Sequence, residues 1–235
     1  MKTIFKKLML ITFIITIAAN ITGCKATKNA NNKQKGAVIG ATGGAILGAI
    51  LGNNIGKGGK GEVGAVIGGV VGGTVGVLIG NKMDKQAQKI EEEIPGAVVE
   101  RVDDGIVITF DENSGVYFDT NKYDINTKSQ GTLDKLTNVL NEYTDTNVSI
   151  VGHTDSSGSD ALNMKLSKNR AFAVTNYFIE IKGLNSSRFS TSWYGESSPV
   201  SDNSTAEGRT KNRRVNVVIL PNDKMIKDAE QELKN

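Results

Sequence analysis

Hydrophobic and polar positions follow three regimes along the chain. Residues 1–23 begin with Lys2, Lys6 and Lys7 and continue as a mostly apolar run from Leu8 to Ala19. Residues 36–56 and 63–81 carry no charge. There glycine stands at every fourth position, from Gly36 to Gly56 and again from Gly64 to Gly80, with Ile, Leu and Val between. From Lys82 the pattern becomes that of a folded domain. A short charged helix is predicted over Met83–Glu93, closed by Pro95-Gly96. Gly105–Phe110 alternates as a strand, and Val116–Phe118 reads as a second short extended piece. A helix over about Thr127–Tyr143 places Leu133, Leu136 and Leu140 at spacings of three and four. Val148–Val151 reads as a buried strand and Gly152–Gly158 as a loop; Ser159 caps a helix from Asp160 to about Ile181. A strand near Arg188–Tyr194, a polar loop to Arg213, a strand over Val215–Leu220 and a charged tail helix complete the order. Strands alternating with helices and ending in a strand pair imply an α/β (α+β) sandwich of one mixed sheet and two main helices.

The glycine-rich part is an internal duplication: two 17-residue blocks beginning at Gly36 and Gly64 share 8 positions. On a helix the four-residue spacing lines glycine along one face, where another backbone can approach closely. Such glycines cost about 1 kcal/mol each relative to alanine in water, so the helices need a packing partner or a membrane. The segment therefore reads as a helical hairpin over residues 36–81, packed glycine face to glycine face. It is similar to the glycine-zipper segments of bacterial envelope lipoproteins. Membrane insertion and protein packing, including a homo-oligomer through the zipper, both satisfy the pattern. Within its turn, Gly56-Lys57-Gly58-Gly59-Lys60-Gly61 fits a nucleotide-loop spacing. No predicted strand precedes it, and Gly58 stands where a Walker loop needs Ser or Thr, so nucleotide binding is rejected.

Residues 1–23 read as a secretory signal, with an apolar run about half the roughly 20 residues needed to span a bilayer. Ile21-Thr22-Gly23 then precedes Cys24, the single cysteine. This resembles the lipobox of bacterial lipoproteins and implies cleavage before Cys24 and lipidation of it. Lys25 follows, with no acidic residue to suggest inner-membrane retention. Residues 24–35 read as a flexible tether, 82–99 as a connecting helix and linker, 100–221 as the folded domain and 222–235 as the tail helix.

Charge narrows the function classes. The net charge of +3 comes from the leader lysines; from Lys82 onward there are 19 basic against 24 acidic residues. No basic stripe marks a nucleic-acid binder. One cysteine and one histidine argue against disulfide frameworks and Cys- or His-based metal sites, and no cofactor is expected.

Asp155 closes a strand-to-helix loop, and Asn163, Leu166 and Arg170 share one face of the following helix. A carboxylate and a guanidinium then converge on one pocket, suited to a ligand carrying an ammonium and a carboxylate; a plain ion pair is the alternative. Gly152-His153-Thr154-Asp155, Gly158, Asn163, Leu166-Ser167 and Arg170-Ala171 resemble the signature of the OmpA-like peptidoglycan-binding domain. Phe118-Asp119-Thr120-Asn121 with Ile125, and Tyr194-Gly195-Glu196, Pro199, Asn203, Glu207-Gly208-Arg209 and Asn212-Arg213-Arg214-Val215, resemble its flanking stretches. With the lipobox and zipper, the chain is similar to outer-membrane lipoproteins of the Pal and YiaD type.

The resemblance implies that Asp155 takes the ammonium and Arg170 the carboxylate of the diaminopimelate zwitterion in a peptidoglycan stem peptide. It also implies that Thr120, Asn121, Thr154, Asn163 and Leu166 line the pocket. His153 reads as a satisfied structural histidine and Trp193 as core. Arg209, Arg213 and Arg214 read as supports for the last strand and loop, and Asp103, Asp104, Asp111 and Glu112 as a solvated loop. The expected function is a noncatalytic tether in the cell outer membrane, lipid-anchored at Cys24 with its C-terminal domain in the periplasm. The rival is a membrane-active or oligomer-forming zipper protein that the wall domain merely positions. Deleting residues 36–80 separates the two: if wall binding and the cell phenotype both survive, the rival fails.

Overall fold

The computed structural model describes residues 74–110, 115–118 and 121–234. The lipobox cysteine Cys24, most of the 36–81 hairpin, Asp111, Glu112 and Thr120 lie outside the described residues.

The elements run α1 (Thr74–Glu93), β1 (Val98–Val102), β2 (Gly105–Phe110), α2 (Thr127–Glu142), β3 (Thr146–Gly152), α3 (Asp160–Asn176), β4 (Phe189–Trp193), α4 (Ala206–Asn212), β5 (Val215–Pro221) and α5 (Asp223–Glu232). The strands form one mixed sheet in the order β1-β2-β5-β3-β4. Among the described residues only β3 and β4 pair in parallel, because α3 carries the chain back between them. β5 lies at the centre, antiparallel to both β2 and β3, and all seven of its residues are buried. This is the expected mixed sheet with two main helices, α2 and α3.

Alternation along the strands sorts their side chains. Ile106, Ile108 and Phe110, Val148 and Ile150, and Val215, Val217 and Ile219 point to one face and form a single core with the helices. There α2 contributes Leu133, Leu136 and Leu140, as its spacing predicts, and α3 contributes Ala171 and Val174. The opposite face carries a smaller cluster of Val107, Val151, Val218 and Leu220.

The structure differs from the sequence reading at several points, among them β1 and α4, which that reading does not contain. The charged helix begins at Thr74 rather than Met83 and runs unbroken through Gly76 and Gly80. Ile79 and Met83 are fully buried in the core, and that burial offsets the glycines' low propensity. Val116–Phe118 joins no strand. Asn126 Nδ2 donates to the Tyr117 carbonyl at 3.0 Å, and Ser129 Oγ bonds both Tyr117 backbone groups at 3.2 Å, docking the segment on the start of α2. Trp193 is half-buried on the edge strand β4, with Lys168 Nζ 4.9 Å above its ring, rather than in the core. Among the described residues no helix is long and apolar enough to cross a membrane.

Candidate functional site

The site is built where β3 ends. Gly152 is its last residue, and a Cβ there would stand 2.1 Å from the Ser167 carbonyl oxygen and 3.2 Å from the Ala171 Cβ. Glycine therefore lets α3 lie against the strand backbone, which sets the helix close to the loop that follows. Beyond Gly152 the chain stays threaded between its neighbours: the His153 N–H donates to the Arg214 carbonyl at 3.0 Å, and the Thr154 N–H to the Gly195 carbonyl at 2.9 Å. Gly195, at φ +54°, rests against the Asn163–Met164 backbone and donates its N–H to Ser167 Oγ at 3.0 Å. Strand end, helix and the turn after β4 are thus locked together.

Asp155 sits three residues beyond β3 with its side chain 9% exposed. Its Oδ2 accepts from Arg213 Nη1 at 2.9 Å, and its Oδ1 accepts from the Ser157 N–H at 2.8 Å. Burial pushes the carboxyl up, but the Arg213 guanidinium and the Ser157 bond outweigh it and hold Asp155 below the usual carboxylate range. The segment that presents Arg213 is held by two asparagines. Asn212 Oδ1 accepts from the Val200 and Ser201 N–H groups at 2.8 and 3.0 Å. Asn212 Nδ2 donates to the Ser201 carbonyl and to Asn203 Oδ1, both at 2.8 Å, and that same oxygen accepts from the Ser156 N–H at 3.3 Å.

Arg170 is 2% exposed on α3, next to the Ala171 that lies against Gly152. Its Nε donates to the Lys122 carbonyl at 3.1 Å, and its guanidinium carbon stands 5.2 Å from the centre of the Phe118 ring. Asn121 adopts a left-handed backbone, φ +58°, immediately before Lys122; asparagine tolerates this conformation better than most residues. Asn163 is buried and donates its Nδ2 to Glu196 Oε2, while Leu166 is half-buried on the same helix.

His153 and Thr154 are almost fully buried. His153 stacks on Tyr194 with ring centroids 5.8 Å apart. Its two ring nitrogens and Thr154 Oγ1 have no hydrogen-bond partner among the described residues, so His153 is not the satisfied histidine expected. Burial, with Arg214 nearby, pushes its pKa well below the ordinary value, so the ring is neutral at pH 7. Arg214 is itself buried and donates Nη2 to the Ser198 carbonyl at 3.1 Å. Arg209 Nη1 donates to the Asn203 carbonyl at 2.9 Å.

The structure thus sets Thr154, Asp155, Asn163, Leu166 and Arg170 around the end of β3, with Asn121 on the segment bonded to Arg170. Asp155 has Arg213 rather than Arg170 as its ion-pair partner. Sequence reasoning treated Arg213 as scaffolding and assigned no role to Asn203, Asn212 or Glu196 in the site. The available signal was three arginines just before β5, opposite in sign to a loop carboxylate. Chemically, the site offers one ionised carboxylate and one guanidinium, each already positioned by other groups. Among the described residues no cluster of three or more His, Cys, Asp or Glu could hold a metal ion.

Comparison with known proteins agrees with this architecture. Residues 117–213 match the OmpA family, and residues 1–84 match the YMGG-like Gly-zipper family. The chain is 37% identical over 141 residues to the probable lipoprotein YiaD of Escherichia coli strain K12, covering 59% of this chain and 63% of that one. It is 43% identical over 100 residues to outer membrane porin F of Pseudomonas aeruginosa, covering 43% of this chain and 29% of that one. The chain therefore spans less than two thirds of either relative. Among solved structures, a putative MotB-like protein from Desulfovibrio vulgaris aligns with TM-score 0.55 and 20% identity, over 61% of this chain and 93% of that one. The cell wall anchor of the T6SS from Pseudomonas aeruginosa aligns with TM-score 0.50 and 24% identity, over 59% of this chain and 96% of that one. At these identities the structural likeness establishes the OmpA-like fold.

Proposed function

We propose, from the OmpA-family domain over residues 117–213 and the YMGG-like Gly-zipper over residues 1–84, that this chain is a noncatalytic tether between the outer membrane and the cell wall. Lipid at Cys24 holds one end in the membrane. The domain around Asp155 and Arg170 clasps the diaminopimelate zwitterion of a stem peptide in the periplasm. Asp155 takes the ammonium and Arg170 the carboxylate, with Thr154, Asn163, Leu166, Asn121 and Thr120 lining the pocket. The observation that carries this reading is the separate anchoring of the two buried charges. Arg213 and the Ser157 N–H hold the Asp155 carboxylate ionised, while the Lys122 carbonyl and the Phe118 ring orient the Arg170 guanidinium. Neither is consumed by the other, so a zwitterion can meet both without first breaking a bond between them. The relatives named above, a probable lipoprotein and an outer membrane porin, support the envelope setting.

Wall binding needs no tight single site. A membrane-confined protein facing a continuous wall gains effective concentration, so many weak contacts hold together. Calorimetry with a stem peptide containing meso-diaminopimelate tests the clasp. The full chain in detergent should bind it and should not bind the same peptide with lysine in that position, which lacks the second carboxylate. Equal binding of the two peptides contradicts the assignment of Arg170.

A further inference from the structure

We propose that Glu196 is a positioning residue of the clasp, one that fixes the side-chain amide of Asn163 so that its oxygen becomes a second acceptor for the ligand's ammonium. This rests on the peptidoglycan reading and deepens it: the charged amine is recognised by a carboxylate and an oriented amide, not by Asp155 alone.

Glu196 reaches Asn163 because of the glycine before it. Gly195 lies at φ +54°, and a Cβ there would stand 3.2 Å from the Met164 nitrogen and 3.3 Å from the Asn163 carbonyl carbon. Glycine thus lets the turn after β4 rest on the α3 backbone. The same residue donates its N–H to Ser167 Oγ on α3 and accepts from the Thr154 N–H, and Thr154 is the neighbour of Asp155. Glu196 is therefore fixed relative to both the helix and the clasp loop. Its Oε2 accepts from Asn163 Nδ2, a hydrogen bond to a charged acceptor, with Asn163 itself 2% exposed.

That bond decides which way the amide faces. A carboxylate only accepts, so the amide nitrogen must point to Glu196 and the amide oxygen away from it. The oxygen faces the clasp loop: a Cβ on Gly158 would stand 4.0 Å from Asn163 Oδ1, and Gly158 lies in the loop that carries Asp155. Among the described residues no donor meets that oxygen. On Asp155 each carboxylate oxygen already accepts one hydrogen bond, from Arg213 and from the Ser157 N–H. An ammonium brings three N–H donors, so a further acceptor at the same loop takes a hydrogen that Asp155 leaves over. Without Glu196 the amide is free to turn over. Its NH2 group then faces the loop, where it meets the ligand's ammonium with a donor instead of an acceptor.

Calorimetry on the full chain in detergent, with two synthetic peptides, tests this. One is L-Ala–D-Glu–meso-diaminopimelate; the other carries 2-aminopimelate in the last position, which keeps the terminal carboxylate and lacks the terminal amine. The wild-type chain should prefer the first peptide. Glu196→Gln keeps the side chain's size but no longer dictates the amide's orientation, and should narrow that preference by about fivefold. In an Asn163→Ala background the same substitution should narrow it no further, because Glu196 acts through Asn163. Circular dichroism establishes that each variant is folded. An unchanged preference in folded Glu196→Gln, or an equal loss for both peptides, overturns the positioning role and leaves the clasp intact. So does a further narrowing in the Asn163→Ala background. A wild-type chain that binds both peptides equally overturns the ammonium assignment of Asp155, and one that binds neither overturns the peptidoglycan reading; the positioning role falls with each.

Discussion

The Asp155 carboxylate and the Arg213 guanidinium meet at 2.9 Å although 58 residues separate them in the chain. The carboxylate is nearly buried, while the arginine remains 29% exposed. Arg213 thus supplies the opposite charge to a carboxylate that is nearly buried. It also leaves the other face of Asp155 for the Ser157 N–H and for a ligand.

Replacing Arg213 with alanine should therefore destabilise the domain by about 1–3 kcal/mol, the usual penalty for stranding a buried polar group. Urea unfolding measures this, and Arg213→Lys should recover part of the loss by restoring a charge. Because the folded pKa of Asp155 is depressed, its contribution is complete above its unfolded value of 3.8 and is lost as pH falls through the lower folded value. Stability of the wild-type chain should consequently show no Asp155-dependent change between pH 5 and 8. An Arg213→Ala variant as stable as the wild type would mean that the pair is incidental.

His153 gives a different pH dependence. Its folded pKa lies well below 6.5, so below pH 6.5 the unfolded chain binds a proton that the folded chain refuses. Stability is then full above pH 6.5 and falls with acidification until the folded pKa is reached, by up to about 1.4 kcal/mol per pH unit. His153→Phe keeps the stack on Tyr194 and removes the titrating group. Urea midpoints at pH 7 and pH 5 should differ less in this variant than in the wild type. An identical acid dependence in both would assign the effect elsewhere.

Gly152→Ala is a packing test. The added methyl would stand 2.1 Å from the Ser167 carbonyl oxygen, a backbone atom that cannot rotate away, so α3 must move. A loss of several degrees in Tm and of peptide binding should appear together, since the same contact sets Arg170 relative to the loop after β3. A variant with unchanged Tm would show that α3 is not seated as described.

Much of this was legible in the sequence, for physical reasons that differ by element. The spacing of Leu133, Leu136 and Leu140 marked α2, and the Ser159 cap marked the start of α3 within the residues observed. β1 was missed because Val98–Val102 places Glu100 and Arg101 at its centre. As an edge strand paired only to β2, it buries none of its residues fully, so it shows no apolar alternation. α4 was missed because it is seven residues long with almost no apolar face. Its signal was Thr205, whose hydroxyl accepts from the Gly208 N–H at 3.0 Å. In the site, Asp155 and Arg170 stood out because loop and helix positions can be counted along the chain. The Arg213 partnership depends on how the loop before β5 folds back, which is fixed by Asn203 and Asn212 and by no local pattern.

The clasp itself is tested most directly by co-sedimentation of the full chain, in detergent, with purified peptidoglycan sacculi, beside Asp155→Ala and Arg170→Ala variants shown by circular dichroism to be folded. The wild-type chain should pellet with the sacculi, and each variant should remain in the supernatant. Folded variants that pellet as well as the wild type would contradict the account and reduce Asp155 and Arg170 to structural charges.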